Sequence, residues 1–358
     1  MALSARSQAE KLLAQVEQYR PAAVAIGNGA EQPDVAKKLK SLGVHVYLGP
    51  SGIVDLIRRD DVDLVLSAIV GAAGVPAAFA TIEAGKTLAL ANKESLVVAG
   101  ALLVPEARRR NALILPVDSE HSAVFQAMQC GRLSEVKRVI LTASGGPFRG
   151  ASREQIDRAT LEDALNHPTW RMGNKITIDS ATMFNKALEI IEACWLFDLP
   201  PEKVSVVVHP ESVVHSMVEY VDGSVIAQLS PPDMKTPIQY ALTYPERRDG
   251  IGARLDLTKT FALNFEPPDV ERFPALRLAY EVARMGGTAG AVLNAANEVA
   301  VNAFASGRIR FGMISRTVES TIRLHRLRDR PTLDDLMQAD AWARATAEAV
   351  IGEMKRET

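Results

Sequence analysis

Cysteine is scarce in this 358-residue chain, and the two present, Cys130 and Cys194, stand too far apart for a CxxC redox or zinc element. That scarcity favours a reducing, cytoplasmic setting without a disulfide framework. Neither sign of charge dominates. With 41 basic against 43 acidic residues there is no global field for nucleic acid or a membrane surface, so a small-molecule partner is expected. Long apolar runs are missing as well: Leu113 to Val117 and Val204 to Val208 are too short to span a bilayer, and no signal-like segment opens the chain. No H-E-x-x-H helix supports a zinc peptidase, and no repeat or low-complexity tract stands out.

A glycine-rich phosphate turn is also absent. Gly27, Gly29, Gly71 and Gly74 lack the dinucleotide fingerprint, and loop or helix-cap roles explain them more simply. What is present is a rhythm. An amphipathic helix over Ser7 to Tyr19 precedes apolar runs at Ala22 to Ile26, Val44 to Leu48, Val62 to Val70 and Thr87 to Ala91, each separated by helix-like segments. This is the pattern of a parallel, doubly wound sheet. The expected fold class is therefore α/β, with an incomplete N-terminal doubly wound nucleotide-binding domain over 1–111 that starts on what would be its second strand. A central α+β catalytic domain follows over 112–250, with strands at Ala112 to Val117, Val136 to Thr142, Val204 to Val208 and Ser224 to Gln228 and a helix from Asn185 to Phe197. A connection over 251–274 leads to a C-terminal helical domain over 275–358, broken near Arg330 and Pro331. Loss of a central strand predicts impaired cofactor binding and poor folding of the first region.

Several stretches carry chemistry. In Leu115-Pro-Val-Asp-Ser-Glu-His121, continuing the strand places Asp118 and Glu120 on one face, where they could share a hard cation; a solvated strand end is the rival. Asn185, Lys186 and Glu189 share a helix face that could surround an anionic ligand or form a surface Lys/Glu pair. Ser180, just ahead, reads as a helix cap or a phosphate donor. Thr142-Ala-Ser-Gly-Gly-Pro-Phe148 could cradle phosphate with Ser144 and exposed amides, or be a simple turn. In His167-Pro-Thr-Trp-Arg-Met-Gly173, Trp170 and Met172 could form a lid or pack on the core. His209 and His215, flanking Ser212, could bind phosphate or satisfy buried backbone groups. Ala91-Asn-Lys-Glu-Ser95 falls at the ligand-binding edge of the first sheet: Asn92 and Glu94 could orient a nucleotide or sugar and Lys93 hold a substrate oxygen or phosphate, or the stretch could simply cap a helix.

Together with Ala68-Ile-Val-Gly-Ala-Ala-Gly74, Ser144-Gly-Gly-Pro-Phe-Arg149, Asp179-Ser-Ala-Thr-Met183, His209-Pro-Glu-Ser-Val-Val-His-Ser-Met217 and Leu293-Asn-Ala-Ala-Asn-Glu298, these blocks occur in an order that resembles the 1-deoxy-D-xylulose 5-phosphate reductoisomerase family. The resemblance covers essentially the whole chain apart from an expected first strand and glycine-rich turn. It implies NADPH-dependent conversion of 1-deoxy-D-xylulose 5-phosphate to 2-C-methyl-D-erythritol 4-phosphate, through a retroaldol/aldol-like rearrangement followed by reduction. It implies Asp118, Glu120 and Glu189 as ligands of Mg²⁺ or Mn²⁺, and Ser119 and Lys93 at the sugar-like part of the substrate. Ser144, Ser180, Asn185 and Lys186 fall at its phosphate, His167 at another direct contact, and Trp170 and Met172 in a flexible lid. His121 and His215 match active-site support positions, Ser212 a substrate-site position. Gly173 matches a cofactor contact, Asn92 and Glu94 lie near the nicotinamide, and Arg6 and Ser7 approach the 2′-phosphate. A homodimer is implied, with no nucleic-acid or membrane partner. The competing expectation is a catalytically silent phosphate-sugar-binding or assembly protein, because the dinucleotide turn is absent.

Overall fold

The computed structural model describes residues 1–28 and 33–356; Gly29 lies outside the described residues. The chain opens on a strand. β1 (Ala2–Ala5) pairs in parallel with β2 (Ala23–Ile26), and β2 with β3 (His45–Leu48), in a three-stranded sheet. A second parallel sheet holds β4 (Leu64–Ser67), β5 (Thr87–Leu90) and β6 (Ile114–Pro116). Each strand returns through a helix, which is why every pairing here is parallel.

This corrects the expectation of an incomplete, poorly folding first domain. Ala2–Ala5 is an ordered, paired strand, and the region has its own core: Leu12, Leu13 and Val16 of the helix Ala9–Tyr19 are buried with Val24, Ile26 and Leu39. The helix Gly49–Ile57 ties the two sheets together. Its Leu56 packs beside Ala23 and Ala25, and its Ile57 beside Ala77 and Ala80. The absent glycine fingerprint misled because it marks a phosphate-binding turn, whereas folding of this region depends on apolar faces that the sequence supplies in full.

The helix Lys93–Arg110 leads out of the second sheet. Asn92 caps it by accepting from Ser95 N, Arg108 to Arg110 sit at its C-terminal end where cations are favoured, and Asn111 ends it at φ 53°. Beyond it lies a mixed sheet in the order β10 (Val225–Leu229), β9 (Val214–Tyr220), β7 (Val136–Ala143), β8 (Val204–Val208); only the β7–β8 pair is parallel. β9 was not anticipated, because His215 and Ser216 interrupt an apolar alternation that is buried on both faces. A short helix, Lys235–Thr243, follows β10.

Four helices follow: Ala275–Met285, Ala289–Ala305, Met313–Leu324 and Leu333–Met354. Ala289–Ala305 is central, packing on the last two and on Lys93–Arg110. Its run of alanines keeps those neighbours close, and one continuous core joins them to the mixed sheet. Among the described residues no helix is long and apolar enough to cross a membrane.

Candidate active site

β6 ends at Pro116, so the strand does not continue through the acidic string. Asp118 instead caps the helix Ser119–Ala127, accepting from Ser119 N at 3.0 Å, and Glu120 stands in its first turn. This corrects the strand-alternation argument: the two carboxylates meet because cap and first-turn positions share a helix end where free N–H groups favour anions. Facing them is the helix Phe184–Phe197, entered through Met183 at φ 63° and ended by Asp198 at φ 55°. It presents Asn185, Lys186 and Glu189 on one side, as the spacing predicts. One ligand oxygen from each of Asp118, Glu120 and Glu189 lies within 4.8 Å of the others.

Two buried lysines hold this cluster together. Lys93 Nζ stands 2.6 Å from Asp118 Oδ2 and 3.1 Å from Glu189 Oε1, and donates to Asn185 Oδ1 at 2.7 Å. Lys186 Nζ donates to Glu120 Oε1 at 2.7 Å and also to Glu189 Oε2. Burial would lower both ammonium pKa values, yet the adjacent carboxylates outweigh it and raise them. Burial likewise opposes ionisation of Asp118 and Glu120; Lys93 and Lys186 reverse that and hold both below the usual range. Glu189 goes the other way, raised by burial and by Glu120. Hard oxygen donors on three carboxylates, with one oxygen of each within 4.8 Å of the others, fit a divalent cation such as Mg²⁺ or Mn²⁺.

His121 sits behind this cluster rather than in the cavity. Fully buried, it places Nε2 3.0 Å from Glu189 O and Nδ1 3.4 Å from Glu192 Oε2. Burial alone would lower its pKa; Glu192 and Asp118 push it up to about 9. Glu192 was missed by the sequence reading, although its position three residues after Glu189 on the same helix carried the signal.

The anion side is built by β7 and two helices. A cavity of about 240 Å³ is lined by Lys93, Asp118, Ser119 and Glu120 on one side and by Ser144, His167, Ser180, Asn185 and Lys186 on the other. Gly146, at φ 63°, lets the loop after β7 touch the neighbouring helix: a Cβ there would lie 2.7 Å from Ser180 O. Ser180 lies inside the helix Asn174–Ala181 and is no cap. Trp170, Met172, Ser212 and His215 complete the lining, with the Trp170 and His215 rings 6.4 Å apart. Burial lowers the His215 pKa, and its Nε2 lies 3.1 Å from Ser230 O. His209 is structural: its Nε2 accepts from Val213 N and Val214 N at 3.2 and 3.1 Å.

His167 has one tautomer compatible with its neighbours. Its Nδ1 accepts from Thr169 N at 3.1 Å and Trp170 N at 2.9 Å, so the proton is on Nε2, which lies 3.0 Å from Ser144 Oγ and 3.1 Å from Ser180 Oγ. Burial lowers its pKa. A folded-state value below the unfolded one means the unfolded chain takes up the proton first, so stability is fully present above the unfolded value near 6.5 and is lost as pH falls through the folded value. Urea midpoints measured between pH 7.5 and 5 should show an acid-side loss that is reduced in His167→Asn; equal losses in both proteins would contradict this account.

The residues expected at the cofactor lie outside this cavity. Asn92 and Glu94 follow β5, at the carboxyl edge of the parallel sheet, where Asn92 Nδ2 donates to Glu94 Oε2 at 2.8 Å and to Gly71 O at 3.2 Å. The capping alternative for this stretch is realised, since Asn92 caps the helix. Glu94 is paired at 3.0 Å with Lys175, a residue the sequence reading did not single out. Arg6 and Ser7 stand at the carboxyl end of β1, and Gly173 precedes the helix Asn174–Ala181. None of these five lines the substrate cavity.

A doubly wound α/β region beside a carboxylate–lysine cluster and a hydroxyl- and imidazole-lined anion pocket defines a class: a metal-assisted enzyme acting on a small phosphorylated substrate with a dinucleotide cofactor. Residues 1–100 match the family described as 1-deoxy-D-xylulose 5-phosphate reductoisomerase; residues 114–197 match its C-terminal domain family, and residues 229–346 match the DXP reductoisomerase C-terminal domain. The 1-deoxy-D-xylulose 5-phosphate reductoisomerase of Pelodictyon phaeoclathratiforme is 53% identical over 344 residues, 95% of this chain and 89% of its own. That of Chlorobaculum tepidum is 51% identical over 98% of this chain and 92% of its own. A crystal structure of DOX-P reductoisomerase with NADPH, fosmidomycin and magnesium superposes with a TM-score of 0.92 at 41% identity, covering 99% of this chain and 92% of that one. The Zymomonas mobilis enzyme with NADPH gives 0.92 at 43% identity, covering 98% and 91%. The chain belongs to the 1-deoxy-D-xylulose 5-phosphate reductoisomerase family. This likeness includes residues 1–100, where Ala2–Ala5 forms a paired strand, contrary to the expectation of a first region that folds poorly.

Proposed function

We propose that Asp118, Glu120 and Glu189 hold the divalent cation of a 1-deoxy-D-xylulose 5-phosphate reductoisomerase, and that the opposite wall of the same cavity holds the substrate's phosphate. The reaction is that of the family: NADPH- and metal-dependent isomerisation and reduction of 1-deoxy-D-xylulose 5-phosphate to 2-C-methyl-D-erythritol 4-phosphate, a step towards isoprenoid precursors. The observation that carries the assignment of roles is the convergence of both groups of residues on one cavity of about 240 Å³.

When bound, the cation polarises substrate oxygens and NADPH supplies the hydride. The chain's own residues do the rest. Ser119 Oγ donates to Glu120 Oε2 at 2.6 Å, which aims the hydroxyl at the sugar end of the cavity alongside Lys93. Ser144, His167, Ser180, Asn185 and Lys186 offer hydroxyl, imidazole, amide and ammonium groups to the phosphate. Trp170, Met172, Ser212 and His215 shield the reacting carbons from water, so that phosphate binding energy is used to fix geometry. His121, set between Glu192 and the Glu189 backbone, keeps the metal-ligand helices in register. Asn92, Glu94, Gly173, Arg6 and Ser7 serve the cofactor. The division at 1–111, 112–250, 251–274 and 275–358 belongs to this reading. So does a homodimer formed through the edge strand β10, whose Val225 and Leu229 are exposed. A cytoplasmic setting agrees with two free cysteines.

Ser180→Ala removes one hydrogen bond to a charged group. The substrate KM is expected to rise about tenfold or more with NADPH affinity unchanged, measured by loss of NADPH absorbance. An unchanged substrate KM would remove Ser180 from the phosphate site.

A further inference from the structure

The helix Ala289–Ala305 reaches the cofactor side of the first region with a single carboxylate. Glu298 Oε1 accepts from Ala72 N at 3.3 Å and from Asn294 Nδ2 at 3.0 Å. Its other oxygen binds Arg344 Nη2 at 2.7 Å, and Arg344 Nε is held in turn by Asp340 Oδ2 at 2.7 Å. Ala72 opens a short turn, Ala72–Gly74, immediately after Gly71, whose φ is 75°. The carbonyl of Gly71 is held from the other side by Asn92 Nδ2 at 3.2 Å.

The turn is thus gripped twice at one peptide group, by Asn92 on the Gly71 oxygen and by Glu298 on the Ala72 N–H of the same amide. Space is tight: a Cβ on Gly71 would lie 2.6 Å from Glu298 Oε1. The turn follows β4 and Asn92 follows β5, so both stand at the carboxyl edge of neighbouring parallel strands, where a doubly wound sheet receives its dinucleotide. Through Arg344 the carboxylate also joins two C-terminal helices. Arg344 already has Asp340, and an apolar side chain could fill the space, but it would leave the Ala72 N–H without its acceptor.

We propose that Glu298 is a positioning residue for the nicotinamide cofactor: it fixes the Gly71–Gly74 turn in the shape against which NADPH lies, without touching NADPH or substrate. The inference rests on the reading of Asn92 and Glu94 as cofactor-side residues. It makes the C-terminal helices part of the cofactor site.

The test is NADPH binding by fluorescence titration, with steady-state kinetics and melting temperature, in Glu298→Ala, Glu298→Gln and Asn92→Ala. Glu298→Ala should raise the NADPH dissociation constant about tenfold, the loss of one charge-assisted hydrogen bond, with the KM for 1-deoxy-D-xylulose 5-phosphate and the metal requirement within about twofold of the parent. Glu298→Gln should restore most of the affinity, because its amide oxygen still accepts from Ala72 N. Unchanged NADPH affinity in Glu298→Ala with weakened binding in Asn92→Ala overturns the inference and leaves the cofactor reading intact. Unchanged affinity in both overturns that reading as well. Parallel loss of NADPH affinity, substrate affinity and melting temperature, not rescued by glutamine, would make Glu298 merely structural. Should Glu298→Ala not fold, Gly71→Ala crowds the same oxygen and should weaken NADPH selectively; no selective loss there overturns the inference.

Discussion

Glu189→Gln is expected to lower kcat/KM by about 10³-fold while leaving NADPH affinity and the circular dichroism spectrum unchanged. The side chain keeps its size and its amide oxygen can still accept from Lys93 and Asn185, so the helix is held in place, while the amide NH2 loses the contact with Lys186. Charge is what changes. Asp118, Glu120 and Glu189 face Lys93 and Lys186, leaving one net negative charge, and glutamine cancels it. A neutral cluster in a buried site has no electrostatic preference for a dication, so the Mg²⁺ or Mn²⁺ concentration giving half-maximal rate should rise together with the fall in rate. Steady-state rates across a metal titration check both parts. A loss smaller than about tenfold, with unchanged metal dependence, would remove Glu189 from the metal set.

Glu189 also illustrates how the site was legible. A helix fixes which side chains share a face, so Asn185, Lys186 and Glu189 were grouped correctly from spacing alone. Asp118 and Glu120 were paired correctly for the wrong reason. Pro116 and the Asp118 cap turned the chain into a helix two residues after Val117, and the carboxylates meet at a helix end. What spacing could not supply was contact between distant segments. Lys93, 96 residues before Glu189, reaches it only because Lys93–Arg110 packs on Phe184–Phe197. The network through Lys175, Asp179 and Asn297 was hidden in the same way: Lys175 pairs with Asp179 at 2.8 Å, and Asn297 donates to Asp179 Oδ1 at 2.8 Å from a helix 118 residues away. The fold itself read well where short apolar runs stood out, as in β2, β3, β5 and β8. It read poorly at β9, whose buried His215 and Ser216 look polar in sequence and are accommodated only inside the finished sheet. The judgement about the first region failed because a ligand-binding signature was used as a test of folding, when Leu12, Leu13, Val16, Val24 and Ile26 already supplied a core.

Lys93→Met should destabilise the metal-free protein by about 3 kcal/mol, and Mg²⁺ or Mn²⁺ should restore a large part of that loss. Methionine preserves the stem's volume and removes the ammonium group that stands 2.6 Å from Asp118 and 3.1 Å from Glu189. Only Lys186 then remains to offset three carboxylates, two of which, Glu120 and Glu189, it already serves. Asp118 would be left nearly buried without its lysine, with only the His121 imidazole at 3.8 Å to offset it. Breaking one partner out of a buried ion pair typically costs about 3–5 kcal/mol, because the remaining charge keeps its desolvation penalty. A divalent cation bound among the carboxylates replaces the missing charge, so the variant should gain more stability from metal than the parent does, even though the proposed role of Lys93 at the substrate predicts a lower catalytic rate. Urea unfolding with and without metal separates these effects. A stability loss of the same size in both conditions would show that Lys93 is needed for packing alone, and would break the link between the lysine pair and the metal site.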